Sequence, residues 1–77
     1  MRSKYIVLDK ATAIIFPATI NHDDMAAYLR REGTVTGAGF VIVSGDGVSV
    51  YGRSESLNMD PDPENDKIAL EMALGWL

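Results

Sequence analysis

The chain has no cysteine and one histidine, His22, in 77 residues. Disulfides and thiolate metal sites are thereby excluded, and one imidazole cannot furnish a zinc site. Basic residues are also scarce: seven Lys and Arg stand against eleven Asp and Glu, a formal net charge of −4. Phosphate backbones are bound by clustered cations, and the one adjacent basic pair is Arg30-Arg31, so nucleic acid is not the expected partner. Long apolar runs are missing as well. None approaches the ~18 residues of a membrane span, and the run after the basic MRSK start is too short for a signal peptide. These absences point to a soluble protein in a reducing cytoplasm, with no metal or cofactor expected.

What is present is apolar: 47% of the residues are hydrophobic. They make one small domain, residues 1–77, which at this size buries only about 60–65% of its unfolded surface. Small domains gain further stability from disulfides, metals or partner chains. With the first two excluded, association with a second chain is the expected support.

Residues 4–9 and 11–16, KYIVLD and ATAIIF, read as a strand pair with a short polar connection. Tyr5 and Val7 point to one side and Ile6 and Leu8 to the other, and Pro17 ends the second strand. A helix is expected over 21–32. Asn21 serves as its cap, Asp23 and Asp24 fill the first turn, and Ile20 and Met25 are spaced as a staple. Met25, Tyr28 and Leu29 form its apolar stripe, with Arg30, Arg31 and Gly33 at the end.

From Thr34 the chain returns to β-formers. Gly37 and Gly39, two apart, leave a bare patch on one strand face, where a ring, a backbone or a ligand can approach; packing under the first helix is the simpler reading. A hairpin turns near Asp46-Gly47, which sets Gly39 roughly opposite Ser54. Asn58–Pro63 is a loop, and a second helix, 63–76, starts from Asp62 as cap and Pro63 at its first position. Its apolar arc is wider than one sheet face requires. The expected fold is α+β, ββαββα: a four-stranded, mostly antiparallel sheet with both helices on one face.

Three groupings invite a chemical reading. Asp60, Asp62, Glu64, Asp66 and Glu71 fall in a calcium-loop register, but Asn65 stands where glycine is needed and helix capping accounts for the same residues. His22 invites a catalytic role, yet no nucleophile accompanies it, and a histidine packed at a helix start is the simpler reading. Arg53, Ser54 and Ser56 follow a strand, where binding groups are often mounted, and an arginine with two hydroxyls can hold an oxyanion. Nothing resembles a nucleophile–base set or a phosphate loop.

Ile14-Ile15-Phe16-Pro17, His22 with Met25-Ala26, Gly39-Phe40, Tyr51-Gly52-Arg53-Ser54 and Ser56-Leu57 together resemble small bacteriophage and prophage proteins without assigned activity. The resemblance covers most of the chain through short motifs. It implies a phage accessory gene expressed in a bacterial cytoplasm and transfers no catalytic residue. The expectation is a non-enzymatic protein that acts by binding, as a homodimer whose target is a host protein, with Tyr5 and Val7 on the sheet and Met72 and Trp76 on the second helix as candidate contact residues. The alternative is a binder of a nucleotide or other anion at His22, Gly37, Gly39, Tyr51, Arg53, Ser54 and Ser56, which requires His22 and Arg53 to share one pocket.

Overall fold

Arg2–Leu8 carries apolar side chains on both of its alternating faces, and this decides the architecture. In the computed structural model, which describes residues 2–76, it forms the central strand β1. It is flanked by β2 (Thr12–Pro17) and β3 (Val35–Ser44), and β4 (Gly47–Tyr51) pairs outside β3. The order is β2-β1-β3-β4, and all three pairings are antiparallel. Two helices, α1 (His22–Tyr28) and α2 (Pro63–Ala73), complete the ββαββα sequence. The α+β class and element order are those expected.

The helices, however, lie on opposite faces of the sheet. Tyr5 and Val7 pack with Ala13, Val41 and Val48 against Ala69 and Leu70 of α2. Ile6 and Leu8 pack with Phe16 and Ala38 against Met25 and Leu29, which come from α1 and the residue after it. Successive strand residues point to opposite sides, and each side of β1 has its own apolar set, so each needs its own cover. Leu57 and Met59 from the loop before α2 help close the α1 side. Tyr5 and Val7 are therefore buried under α2, at 0% and 2% exposure. They belong to the core and cannot meet another chain.

The bare patch on β3 is filled from within the domain, on the α2 side. A Cβ on Gly39 would come 3.3 Å from the Tyr5 ring, and one on Gly37 would come 2.5 Å from Asp66 Oδ1. The Tyr5 hydroxyl donates to Asp66 Oδ2 at 2.5 Å, and the Asp62 backbone N–H donates to the same oxygen at 2.9 Å. Burial, and then the Asp66 hydrogen bond and the Asp66 and Asp62 charges, raise the Tyr5 phenol far above its ordinary range and keep it a donor. Asp62 caps α2 in turn, its carboxylate accepting from the Asn65 N–H at 3.5 Å. The carboxylates of the calcium-loop register are thus dispersed: Asp62 caps the helix, Asp66 is buried and Asp60 pairs with Arg53.

Three boundaries differ from expectation. The β3–β4 hairpin turns through Gly45-Asp46, with Ser44 paired to Gly47. The Ser44 hydroxyl accepts from the Asp46 N–H and donates to the Gly47 carbonyl, which moves the register two residues and places Tyr51 opposite Phe40. α1 ends at Tyr28, whose side chain is 84% exposed rather than part of the apolar stripe. The side chain of Asn21 caps nothing; instead the Asp23 N–H donates to the Ser56 hydroxyl at 3.2 Å. α2 stops at Ala73 because Gly75 takes φ +77°. The Trp76 N–H then bonds the Glu71 carbonyl and the Gly75 N–H the Met72 carbonyl, a Schellman end.

Candidate functional site

One row of side chains crosses all four strands on the α1 side. Lys4 of β1 lies opposite Phe16 of β2 and Phe40 of β3, and Phe40 lies opposite Tyr51 of β4. Directly opposed residues share a face, so the row reads Phe16, Lys4, Phe40, Tyr51. The His22 ring stands edge-on to both phenylalanines, 5.7 Å from Phe16 and 5.6 Å from Phe40, an arrangement favoured by ring quadrupoles. Tyr51 stacks on Phe40 at 5.7 Å, and the Lys4 ammonium and the Arg2 guanidinium lie over the same ring at 5.8 and 5.3 Å.

His22 is 4% exposed, and its Nε2 lies 2.7 Å from the Gly39 carbonyl. A carbonyl only accepts, so Nε2 carries the proton, and a neutral ring holds a lone pair on Nδ1. Nδ1 makes no hydrogen bond to the described residues and is left to solvent; the one buried side-chain polar atom without a partner among them is the Tyr51 hydroxyl. Burial, reinforced by the charge of Lys4, lowers the pKa below its ordinary value of 6.5, opposed by the Gly39 bond and by Asp23. The ring is therefore neutral near pH 7.

In front of this row is a cleft of about 280 Å³ lined by Lys4, Asn21, His22, Phe40, Arg53, Glu55 and Ser56. That volume is close to the lower end of small-molecule sites, ~300 Å³. His22, Arg53 and Ser56, drawn from α1 and a distant loop, do converge. Gly39 and Tyr51 stand one layer behind, the first through its carbonyl and the second as the backing of Phe40. Gly37 is on the other side of the sheet beside Asp66. Ser54 is fully buried, its backbone paired with Met59 and its hydroxyl accepting from the Leu57 N–H, so it closes a turn and faces no ligand.

Arg53 lines the cleft, but each of its three nitrogens is already engaged by its own loop, using three of its five N–H donors. Nε, Nη1 and Nη2 reach Asp60, Glu55 and Asn58 at 2.9, 3.1 and 2.8 Å. The bond to Asp60 is the main reason its pKa rises above the usual guanidinium value. Arg53 is a clamp on its own loop. Arg53→Ala is expected to speed amide exchange across residues 55–59 while leaving the thermal midpoint nearly unchanged, because exposed ion pairs contribute little to global stability. Hydrogen-exchange mass spectrometry with a parallel melting curve checks both parts.

Lys4 and Phe40 are site residues that sequence reasoning missed. The available signal was Lys4 itself, a cation on the same strand face as Ile6 and Leu8. No helix among the described residues is long and apolar enough to cross a membrane. Comparison with protein-family models, with curated proteins and with solved structures finds no match.

Proposed function

We propose that this protein acts by binding another protein chain rather than by catalysis, and that a second copy of itself occupies the outer surface of α2. The observation that carries this reading is an exposed apolar stripe. Ile68, Met72 and Trp76, spaced four apart, are 48%, 58% and 45% exposed. On a helix residues i and i+4 share a face, which puts Ile68 and Met72 together, and Trp76 follows just past the helix, its N–H bonded to the Glu71 carbonyl of the last turn. Beside the stripe runs a shallow groove lined by Ala11, Thr12, Ala13, Ala69, Met72 and Ala73.

A ridge of large side chains next to a groove of small ones suits a two-fold interface, in which one surface meets itself. Antiparallel pairing of two α2 helices centred on Met72 brings Ile68 of one copy beside Trp76 of the other. Both surfaces would then be withdrawn from water, as expected of an apolar patch on a small domain. The setting is that of a phage or prophage accessory factor in a bacterial cytoplasm, an origin carried by the sequence resemblance alone.

Sedimentation equilibrium is expected to show a dimer at micromolar concentrations and a monomer for Met72→Glu. The thermal midpoint of that variant should become independent of concentration, unlike that of the wild type. A wild type that stays monomeric up to about 100 μM, where even weak association is visible, overturns the reading.

A further inference from the structure

Independently of the α2 surface, we infer that the cleft in front of Phe40 is a binding site for a small organic anion, one with a carboxylate or phosphate head and an apolar body. Three features of the cleft support this. First, Lys4 is a cation with no acidic partner: its ammonium donates to the Ile20 carbonyl at 2.8 Å and forms no ion pair among the described residues. The ammonium has three donor hydrogens, so two are left for a ligand. Arg2, over the same ring, adds a second positive charge nearby. In a chain of net charge −4 this local reversal of sign favours an anion at one place on the surface.

Second, the cleft offers further polar atoms beside the ammonium. Nε2 of His22 is committed to Gly39, while Nδ1 has no partner and belongs to a ring that lines the cleft. Ser56 adds a hydroxyl whose oxygen accepts from the Asp23 N–H, leaving its O–H free to donate.

Third, the shape limits the ligand. The Phe40 ring is stacked on one side by Tyr51 and overlaid by Arg2 and Lys4, which leaves no free face for a nucleobase. Its edge and the His22 ring remain as an apolar wall. Glu55, the one carboxylate in the lining, is engaged by Arg53 and is thus partly neutralised. A cleft of about 280 Å³ accommodates a single ring or a short chain behind the charged head.

The test is an NMR titration of the ¹⁵N-labelled chain with phenyl phosphate, benzoate and inorganic phosphate. Saturable shifts confined to the neighbourhood of Lys4, His22, Phe40 and Ser56 are expected for at least one phenyl ligand, with inorganic phosphate at least tenfold weaker. The order of the two phenyl compounds identifies the head group. Lys4→Met, which keeps the apolar stem, should weaken binding at least tenfold, and Ser56→Ala by a smaller factor. Linear shifts scattered over the surface, inorganic phosphate binding as well as the phenyl ligands, or binding that survives Lys4→Met overturns the site.

Discussion

Gly37→Ala is expected to destabilise the fold by about 2–4 kcal/mol, although it adds one methyl group to a strand. The new Cβ would lie 2.5 Å from Asp66 Oδ1, an approach real Cβ atoms essentially never make, and 3.0 Å from the carboxyl carbon. A flexible side chain could swing away, but Asp66 is 3% exposed and held by the Tyr5 hydroxyl and the Asp62 N–H. Relief of the clash therefore requires loss of a buried hydrogen bond or a shift of α2. Overpacking costs roughly 1–3 kcal/mol and an unsatisfied buried polar group about 1–3 kcal/mol. Against a total stability of roughly 4–12 kcal/mol for a domain of this length, the fall in Tm is about 10–25 °C.

A double-mutant cycle gives this prediction its sharper form. In an Asp66→Ala background the obstructing carboxylate is gone, so adding Gly37→Ala should cost little more, and the coupling should reach about 1–3 kcal/mol. Additive costs measured by urea unfolding would show that Gly37 is needed for its backbone and not for the space it leaves.

Much of this fold was legible in the chain, and the misreadings have identifiable causes. Asp62-Pro63 marks the start of α2 correctly because both residues act locally, as cap and first helical residue. The end was missed because Gly75 breaks the helix through its own φ of +77° while Trp76 continues the apolar periodicity. The opposite placement of the helices was readable in principle from Tyr5 and Val7 on one side and Ile6 and Leu8 on the other, since two apolar faces need two covers. Asp66 carried a similar signal: it lies three and four residues before Ala69 and Leu70, the buried residues of α2, so a carboxylate on the apolar side of that helix demanded a buried donor. Tyr5 supplies it. The cleft was less accessible. Lys4 and Phe40 meet only through the β1–β3 pairing, a register set by tertiary packing, and no local pattern encodes it. Arg53 looked like a ligand residue because its partners, Glu55, Asn58 and Asp60, lie in a loop whose closure through Ser54 and Met59 is not written in its composition.

His22 gives the second large effect, and its pH dependence separates packing from charge. His22→Ala removes a ring held edge-on between Phe16 and Phe40 and the donor to Gly39, at an expected cost of about 3–4 kcal/mol. His22→Gln can keep an N–H donor for the Gly39 carbonyl but cannot titrate. In the wild type the folded pKa is lowered from 6.5, chiefly by burial. As pH falls below about 6.5 the unfolded chain takes up a proton that the folded chain refuses, so ν_U exceeds ν_N and stability rises with pH across that window. The histidine contribution is fully favourable above about pH 6.5 and is lost as the pH drops toward the folded value, with a slope of at most about 1.4 kcal/mol per pH unit for one proton. Carboxylates also titrate in acid, so the comparison must be with His22→Gln, which keeps all of them. Urea unfolding of the two proteins between about pH 5 and pH 8 should give a smaller slope for His22→Gln just below neutrality and parallel curves above it. Equal slopes throughout would mean that His22 takes its proton as readily in the fold as out of it, and that the ring is wetter than its place between two phenylalanines implies.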